Sequence, residues 1–106
     1  MTHIKPILLR SLANQDIENA IDHYLTISIE LADDFVTDLE YLFTHIGQFP
    51  TSGSTRYAYE LNIPDLRSRI LKRYPYIIFY VEYPDNIDVW RILHEKTNMP
   101  SWMETK

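Results

Sequence analysis

Apolar residues recur at helical spacing through the first half of this chain and at strand spacing through the second, with the change near Pro64. Ile4 to Leu9 is a short apolar run that predicts a first strand. Ser11 offers an N-cap hydroxyl before Leu12, and Asp16 and Glu18 then fall in early helical turns, where the helix dipole favours anions. Ala13, Ile17, Ala20, Ile21 and Tyr24 make one apolar stripe. Leu31, Phe35, Leu39, Leu42, Phe43 and Ile46 make a second, with Asp33, Asp34, Asp38 and Glu40 largely off it. The β-branched stretch Thr26 to Ile29 predicts a break between two helices, and Gly47, with Pro50 three residues on, predicts the end of the second.

Thr51 to Thr55 reads as a loop, and residues 56–63 as a short extended piece interrupted by Pro64. From there the period is two. Leu66 to Leu71, Tyr76 to Tyr83 and Ile87 to His94 are three expected strands, and Pro84-Asp85-Asn86 joins the last two as an antiparallel hairpin. Asn98-Met99-Pro100 is expected to close the ordered part. The order β-α-α-β-β-β predicts an α+β fold: a small antiparallel sheet of about four strands, covered by an N-terminal two-helix hairpin that buries both stripes. Residues 1–106 are read as a single domain, a size at which roughly two-thirds of the unfolded surface can be buried.

Charge sharpens this picture. The net charge is −5, but residues 1–61 hold three Lys/Arg against nine Asp/Glu, while residues 62–106 hold seven against six. Four of the ten cations, Arg67, Arg69, Lys72 and Arg73, lie within seven residues. A chain that bound nucleic acid over its whole surface would be basic, because phosphate neutralisation supplies the affinity. Here an anionic partner must be met by a local patch. The chain has no cysteine, which excludes disulfides and thiol chemistry. The N-terminal apolar run is too short for a signal peptide, and Tyr76 to Val81 is too short to span a bilayer, so a soluble cytoplasmic protein is expected.

With the elements placed, the chain resembles the RelE/ParE superfamily of bacterial type II toxins, and its ParE branch most closely. The resemblance rests on an ordered set covering roughly residues 4–100: Ala13, Asp16, Ile17, Ala20 and Tyr24; Ala32, Phe35 and Leu39; Pro50 and Gly53; Leu66-Arg67-Ser68; Tyr74-Pro75-Tyr76-Ile77-Ile78-Phe79-Tyr80; and Val89-Trp90-Arg91-Ile92-Leu93-His94. It implies a toxin of the kind associated with plasmid stabilisation, neutralised by a cognate antitoxin whose flexible tail wraps it. ParE-like members are associated with inhibition of DNA gyrase, and RelE-like members cut mRNA on the ribosome.

The residues themselves allow two chemistries. Metal-free RNA cleavage needs a base, an acid and cations for the developing phosphorane charge, for which His94, Arg67 and Arg91 are the candidates, with Glu95, Arg69 and Arg73 nearby in sequence. The tail from Lys96 to Lys106 lacks the catalytic tyrosine or histidine that the RelE resemblance would require, which leans the reading away from an enzyme. In a binding protein, Arg67, Arg69, Lys72, Arg73, Arg91 and His94 would form a docking patch for the target or for an acidic antitoxin tail. Each also has a structural alternative. Arg67 and Arg69 share one face of a strand and could be a solvated or charge-protected edge. Arg91, set among Val89, Ile92 and Leu93, calls for a carboxylate or carbonyl partner. His94 could simply end its strand and hydrogen-bond locally. The aromatic strand at Tyr76 to Tyr80 is apolar on both faces, which marks a central strand. His3, His23, His45 and His94 have no ligand spacing, and two glycines make no phosphate loop, so neither metal nor cofactor is expected. Direct nucleic-acid binding is not expected. A homodimer and a toxin–antitoxin hetero-oligomer are both open, as is a non-toxic remnant that still binds antitoxin.

Overall fold

The computed structural model describes residues 4–97. The expected tail features at Asn98 to Lys106, Trp102 included, lie outside the described residues. The chain forms β1 (Ile7–Leu9), α1 (Ser11–Leu25), α2 (Ile29–Gln48), a single 3-10 turn (Pro50–Ser52), α3 (Arg56–Leu61), β2 (Leu66–Ile70), β3 (Tyr76–Glu82) and β4 (Ile87–His94). The four strands make one sheet in the order β1-β4-β3-β2. The α+β class and the order of the main elements are those expected from the periodicities.

One pairing differs from an all-antiparallel sheet. β1 runs parallel to β4, with Ile7 opposite Ile87 and Leu9 opposite Val89, while β2–β3 and β3–β4 are antiparallel. The reason lies in where the helical hairpin delivers the chain. Gly47 at the end of α2 accepts a hydrogen bond from the Lys5 N–H at 3.0 Å. The chain therefore returns to the end of the sheet at which β1 began. β2 sets out from that end in the same direction as β1, and two reversals later β4 does as well.

Gly47 consequently has a different job from the helix stop expected of it, since α2 runs on to Gln48. A Cβ at Gly47 would stand 2.8 Å from the Lys5 carbonyl oxygen and 3.0 Å from Ile4 Cγ2. The glycine lets the first strand cross the helix at backbone contact. Gly47→Ala should lower stability by about 1–3 kcal/mol, the usual range for overpacking, despite alanine's better helix propensity. Urea denaturation measures the sign directly.

The helix starts also part from expectation at one end. Ser11 is the first residue of α1, and the cap position falls to Arg10, which makes no side-chain cap. α2 is capped by Ser28, whose Oγ accepts the Leu31 N–H at 3.0 Å. The helical break thus falls at Thr26–Ser28. Residues 56–61 are helical rather than extended, with Asn62 ending α3 in the left-handed region at φ 54°.

The sheet is covered on both faces. Against the α1–α2 hairpin lie Tyr76, Ile78 and Tyr80 of β3 with Ile87, Val89 and Ile92 of β4, packed on Ala13, Ala20, Tyr24, Phe35, Leu39 and Ile46. On the other face Leu66, Ile77, Phe79, Val81 and Leu93 meet Tyr57, Ala58, Leu61 and Ile63 from α3 and its exit. This explains why β3 is apolar on alternate and intervening positions alike. No helix among the described residues is long and apolar enough to cross a membrane.

Candidate functional site

The cationic cluster is split by the fold into groups with separate duties. Arg67 and Arg69 lie on the hairpin side of β2, opposite Tyr80 and Ile78. They reach past the end of α2 to the loop beyond it. Arg67 Nη1 donates to the Gly53 carbonyl at 2.9 Å and the Thr51 carbonyl at 3.2 Å. Arg69 Nη1 donates to Ser52 Oγ at 2.6 Å and lies 3.1 Å from His45 Nδ1. A guanidinium only donates, so that contact makes Nδ1 the acceptor and places the neutral ring's proton on Nε2. Ser54 then pairs with Ser68 through two backbone hydrogen bonds of 2.9 Å.

Tyr80 sits beneath this loop. Its phenol is fully buried and donates to the Pro50 carbonyl at 2.6 Å. Burial pushes the phenol pKa up, against the opposing influence of Arg67. Gly53 touches this hydroxyl so closely that a Cβ would overlap Tyr80 Oη and stand 3.0 Å from Arg67 Cβ. Pro50, Gly53, Arg67 and Tyr80 form one node, which holds the loop against β2.

Arg73 turns the other way. Its guanidinium pairs with Asp34 at 2.6 Å, and its backbone N–H donates to Asp38 Oδ2 at 3.3 Å. Tyr74 donates to the same Asp34 carboxylate at 2.6 Å. The Tyr74 hydroxyl and the Arg73 guanidinium hold the Asp34 carboxyl below its usual range, and burial, followed by that carboxylate, pushes Tyr74 up to about 12. Burial raises Tyr24 and Tyr76 beside it as well. A group with a raised folded pKa keeps its proton longer when folded, so its stabilisation is complete below the unfolded value near 10 and lost as pH rises toward 12. Alkaline unfolding is therefore expected to steepen above pH 10, and Tyr74→Phe to flatten it (phenolate absorbance and circular dichroism followed together would report both).

Arg91 is buried at 4% side-chain exposure. It donates from Nε and Nη2 to both oxygens of Asp16 on α1, each at 2.8 Å. The same carboxylate accepts the Ile92 N–H at 3.0 Å. Two local features bring this about. Tyr80 pairs with Val89 and Phe79 with Arg91, so Trp90 is an extra residue that bulges β4 and re-aims the end of the strand. β1 pairs with β4 only as far as Val89, and α1 continues along the remaining edge. Asp16 thus takes over as acceptor where β1 leaves off. Neither the bulge nor the shortness of β1 has a signature in the sequence. The carboxylate partner expected for Arg91 is present, and it is Asp16, which the sequence offered as a helix-start anion and as one position of the family resemblance.

His94 ends β4. Its ring packs edge-on against Tyr76 at 5.3 Å between centroids, and its Nδ1 accepts the Lys96 N–H at 3.2 Å. Arg67 and Arg91 stand on β2 and β4 with β3 between them, a separation of roughly 9–10 Å at ordinary strand spacing. β3 thus stands between Arg67 and the β4 residues Arg91 and His94, and each of the three has its own local contacts. No group of three or more His, Asp or Glu side chains suited to a metal ion occurs among the described residues.

Lys72 is exposed and borders an open groove of about 550 Å³ between α2 and β2. Asp38, Tyr41 and Leu42 make one wall, Arg69 to Lys72 the other, and Ser52 and Ser54 close one end. Nothing in the sequence pattern marked this groove, because its walls come from segments some thirty residues apart.

Comparison with known proteins fits this architecture. The sequence matches the family described as the ParE toxin of the type II toxin-antitoxin system, parDE, over residues 7–99. Among solved structures, a chain of the chromosomal ParDE toxin-antitoxin system from P. aeruginosa superposes with a TM-score of 0.69 at 23% identity, covering 87% of this chain and 97% of that one. At that identity the likeness speaks for the fold. A search of curated proteins finds no match. On the family match over nearly its whole length, the chain belongs to the ParE toxin family of type II toxin–antitoxin systems.

Proposed function

We propose that this toxin arrests growth by binding DNA gyrase rather than by cutting RNA, and that a cognate antitoxin neutralises it. Membership of the ParE family supports a binding toxin. The carrying observation is the disposition of the would-be catalytic residues. Arg91 is buried in a bidentate ion pair, Arg67 braces a loop through two carbonyls, and His94 accepts a backbone N–H. A phosphorane would need these groups converging on one reacting atom. β3 instead stands between Arg67 on β2 and the Arg91 and His94 of β4, and each of the three is engaged by its own local partner.

Induced expression in a bacterial host tests the reading. Growth arrest with blocked supercoiling and a DNA-damage response is the expected result, relieved by co-expression of the antitoxin. Prompt arrest of translation with cleaved mRNA and normal supercoiling would show a ribonuclease. Unimpaired growth at high expression would show an antitoxin-binding remnant.

A further inference from the structure

The turn that joins α1 to α2 carries large aliphatic side chains into solvent. Leu25, Ile27 and Ile29 stand 48%, 61% and 74% exposed, and none of them belongs to either core. The inward positions beside them are taken by Tyr24 and Leu31. A tight exposed connection ordinarily carries Gly, Asn, Asp or Ser instead. The turn is also fixed. Thr26, Ile27 and Ser28 donate their N–H groups to carbonyls of the last turn of α1, the latter two both to Tyr24, at 2.9 and 3.0 Å. Ser28 Oγ then caps α2 through the Leu31 N–H. The hairpin therefore ends in a preorganised apolar knob, which loses little freedom when it is buried.

The charge around this knob has one sign. From Ser11 to Thr55 the chain has no Lys or Arg. Asp22 lies one turn before Leu25, Glu30 follows Ile29, and Asp33 lies one turn further along α2. All three are exposed and are in no ion pair in the described structure. This acidic collar narrows what can cover the knob. A second copy of the chain would bring two such collars together. A phospholipid surface and a nucleic acid are themselves anionic, and an acidic antitoxin tail would be repelled as well. A protein surface with an apolar socket and a cationic rim is complementary in both respects, and an apolar centre with a polar rim is the ordinary anatomy of a specific interface.

We infer that the tip of the helical hairpin seats this toxin on its protein target, in an apolar socket rimmed by Lys and Arg. The inference rests on the gyrase reading above and names the contacting surface and the chemistry of the site that receives it. Ile27 and Ile29, the most exposed of the three, enter the socket, and Leu25 packs at its margin. Asp22, Glu30 and Asp33 meet the cations of the rim, which steer the approach and fix the register. Target contact thus moves away from the cationic cluster, where Arg67, Arg69 and Arg73 are committed to the chain's own loop and helix.

Purified DNA gyrase is the probe, with inhibition of supercoiling titrated against the whole chain. Ile27→Ser and Ile29→Ser should each raise the half-inhibiting concentration about tenfold, the worth of burying the exposed part of one aliphatic side chain. Their urea midpoints should stay at the parent value, because both side chains face solvent. Ile29→Leu should inhibit as the parent does, and so should Tyr59→Ser, which removes an exposed ring from α3. Inhibition should weaken as salt rises, and Asp22→Asn combined with Asp33→Asn should flatten that dependence. Undiminished inhibition by the serine variants, an equal loss in Tyr59→Ser, or inhibition indifferent to salt would each overturn the inference. So would self-association of the chain that the serine variants abolish. Growth arrest on induced expression separates this inference from the reading it rests on. Arrest with supercoiling untouched overturns the gyrase reading alone; loss of that arrest in Ile29→Ser then supports the tip, and retained arrest overturns it. A chain that neither inhibits gyrase nor arrests growth overturns both.

Discussion

Asp16→Ala is expected to destabilise the protein by about 3–5 kcal/mol, the range for removing one partner of a buried ion pair. The loss comes from the groups left stranded. Arg91 and Asp16 are 4% and 9% exposed, and the carboxylate also accepts the Ile92 N–H. Without it, a guanidinium loses both hydrogen bonds to Asp16 and a backbone donor on the open edge of β4 loses its acceptor. Asp16→Asn should cost less, since an amide oxygen can still accept from one of these donors. Replacing both residues by leucine should recover part of the loss, because no charge is then left buried, although the Ile92 N–H stays unanswered. Urea denaturation of the three variants tests this. If Asp16→Ala and the double replacement lose equally, the stranded arginine is not the cause.

Phe35→Ala should be comparably severe, at about 3–5 kcal/mol. Phe35 is fully buried at the centre of a group of rings, 5.3 Å from Tyr24 and 5.4 Å from both Tyr74 and Tyr76. These rings come from α1, α2, β3 and the approach to β3, so the cavity would open where the hairpin meets the sheet. The surrounding tyrosines cannot simply collapse into it. Tyr74 is tied through its hydroxyl to Asp34 and to the Leu31 carbonyl. Loss of near-ultraviolet circular dichroism should accompany the fall in stability, and Phe35→Leu should cost markedly less. An unchanged near-ultraviolet spectrum in Phe35→Ala would show that the rings are not organised around Phe35.

These two residues differ in how plainly the sequence announced them. Phe35 lies in the apolar stripe of α2, and its burial follows from helical period alone. Asp16 was visible as a helix-start anion, and Arg91 as a cation needing a partner. Their pairing spans 75 residues and depends on the bulge at Trp90 and on α1 running beyond the end of β1. The cationic run was legible as a cluster in the sequence, but the fold divides it. Arg67 and Arg69 are drawn under the loop after α2, Arg73 is turned to α2, and Lys72 stands exposed at the border of the groove that Arg69 also lines.

By itself the sequence determined the helical hairpin, the three-strand meander, the central place of β3 and the ParE resemblance. All of these depend on local period, on turn chemistry, or on motifs read in order. The tertiary structure alone decided the parallel pairing of β1 with β4, the role of Gly47 as a crossing point, the conversion of residues 56–61 into a helix, the Asp16–Arg91 pair and the groove beside β2. Each of these is set by the direction in which one element meets another far away in the chain. A side-chain period records which face of an element is buried, and not what buries it.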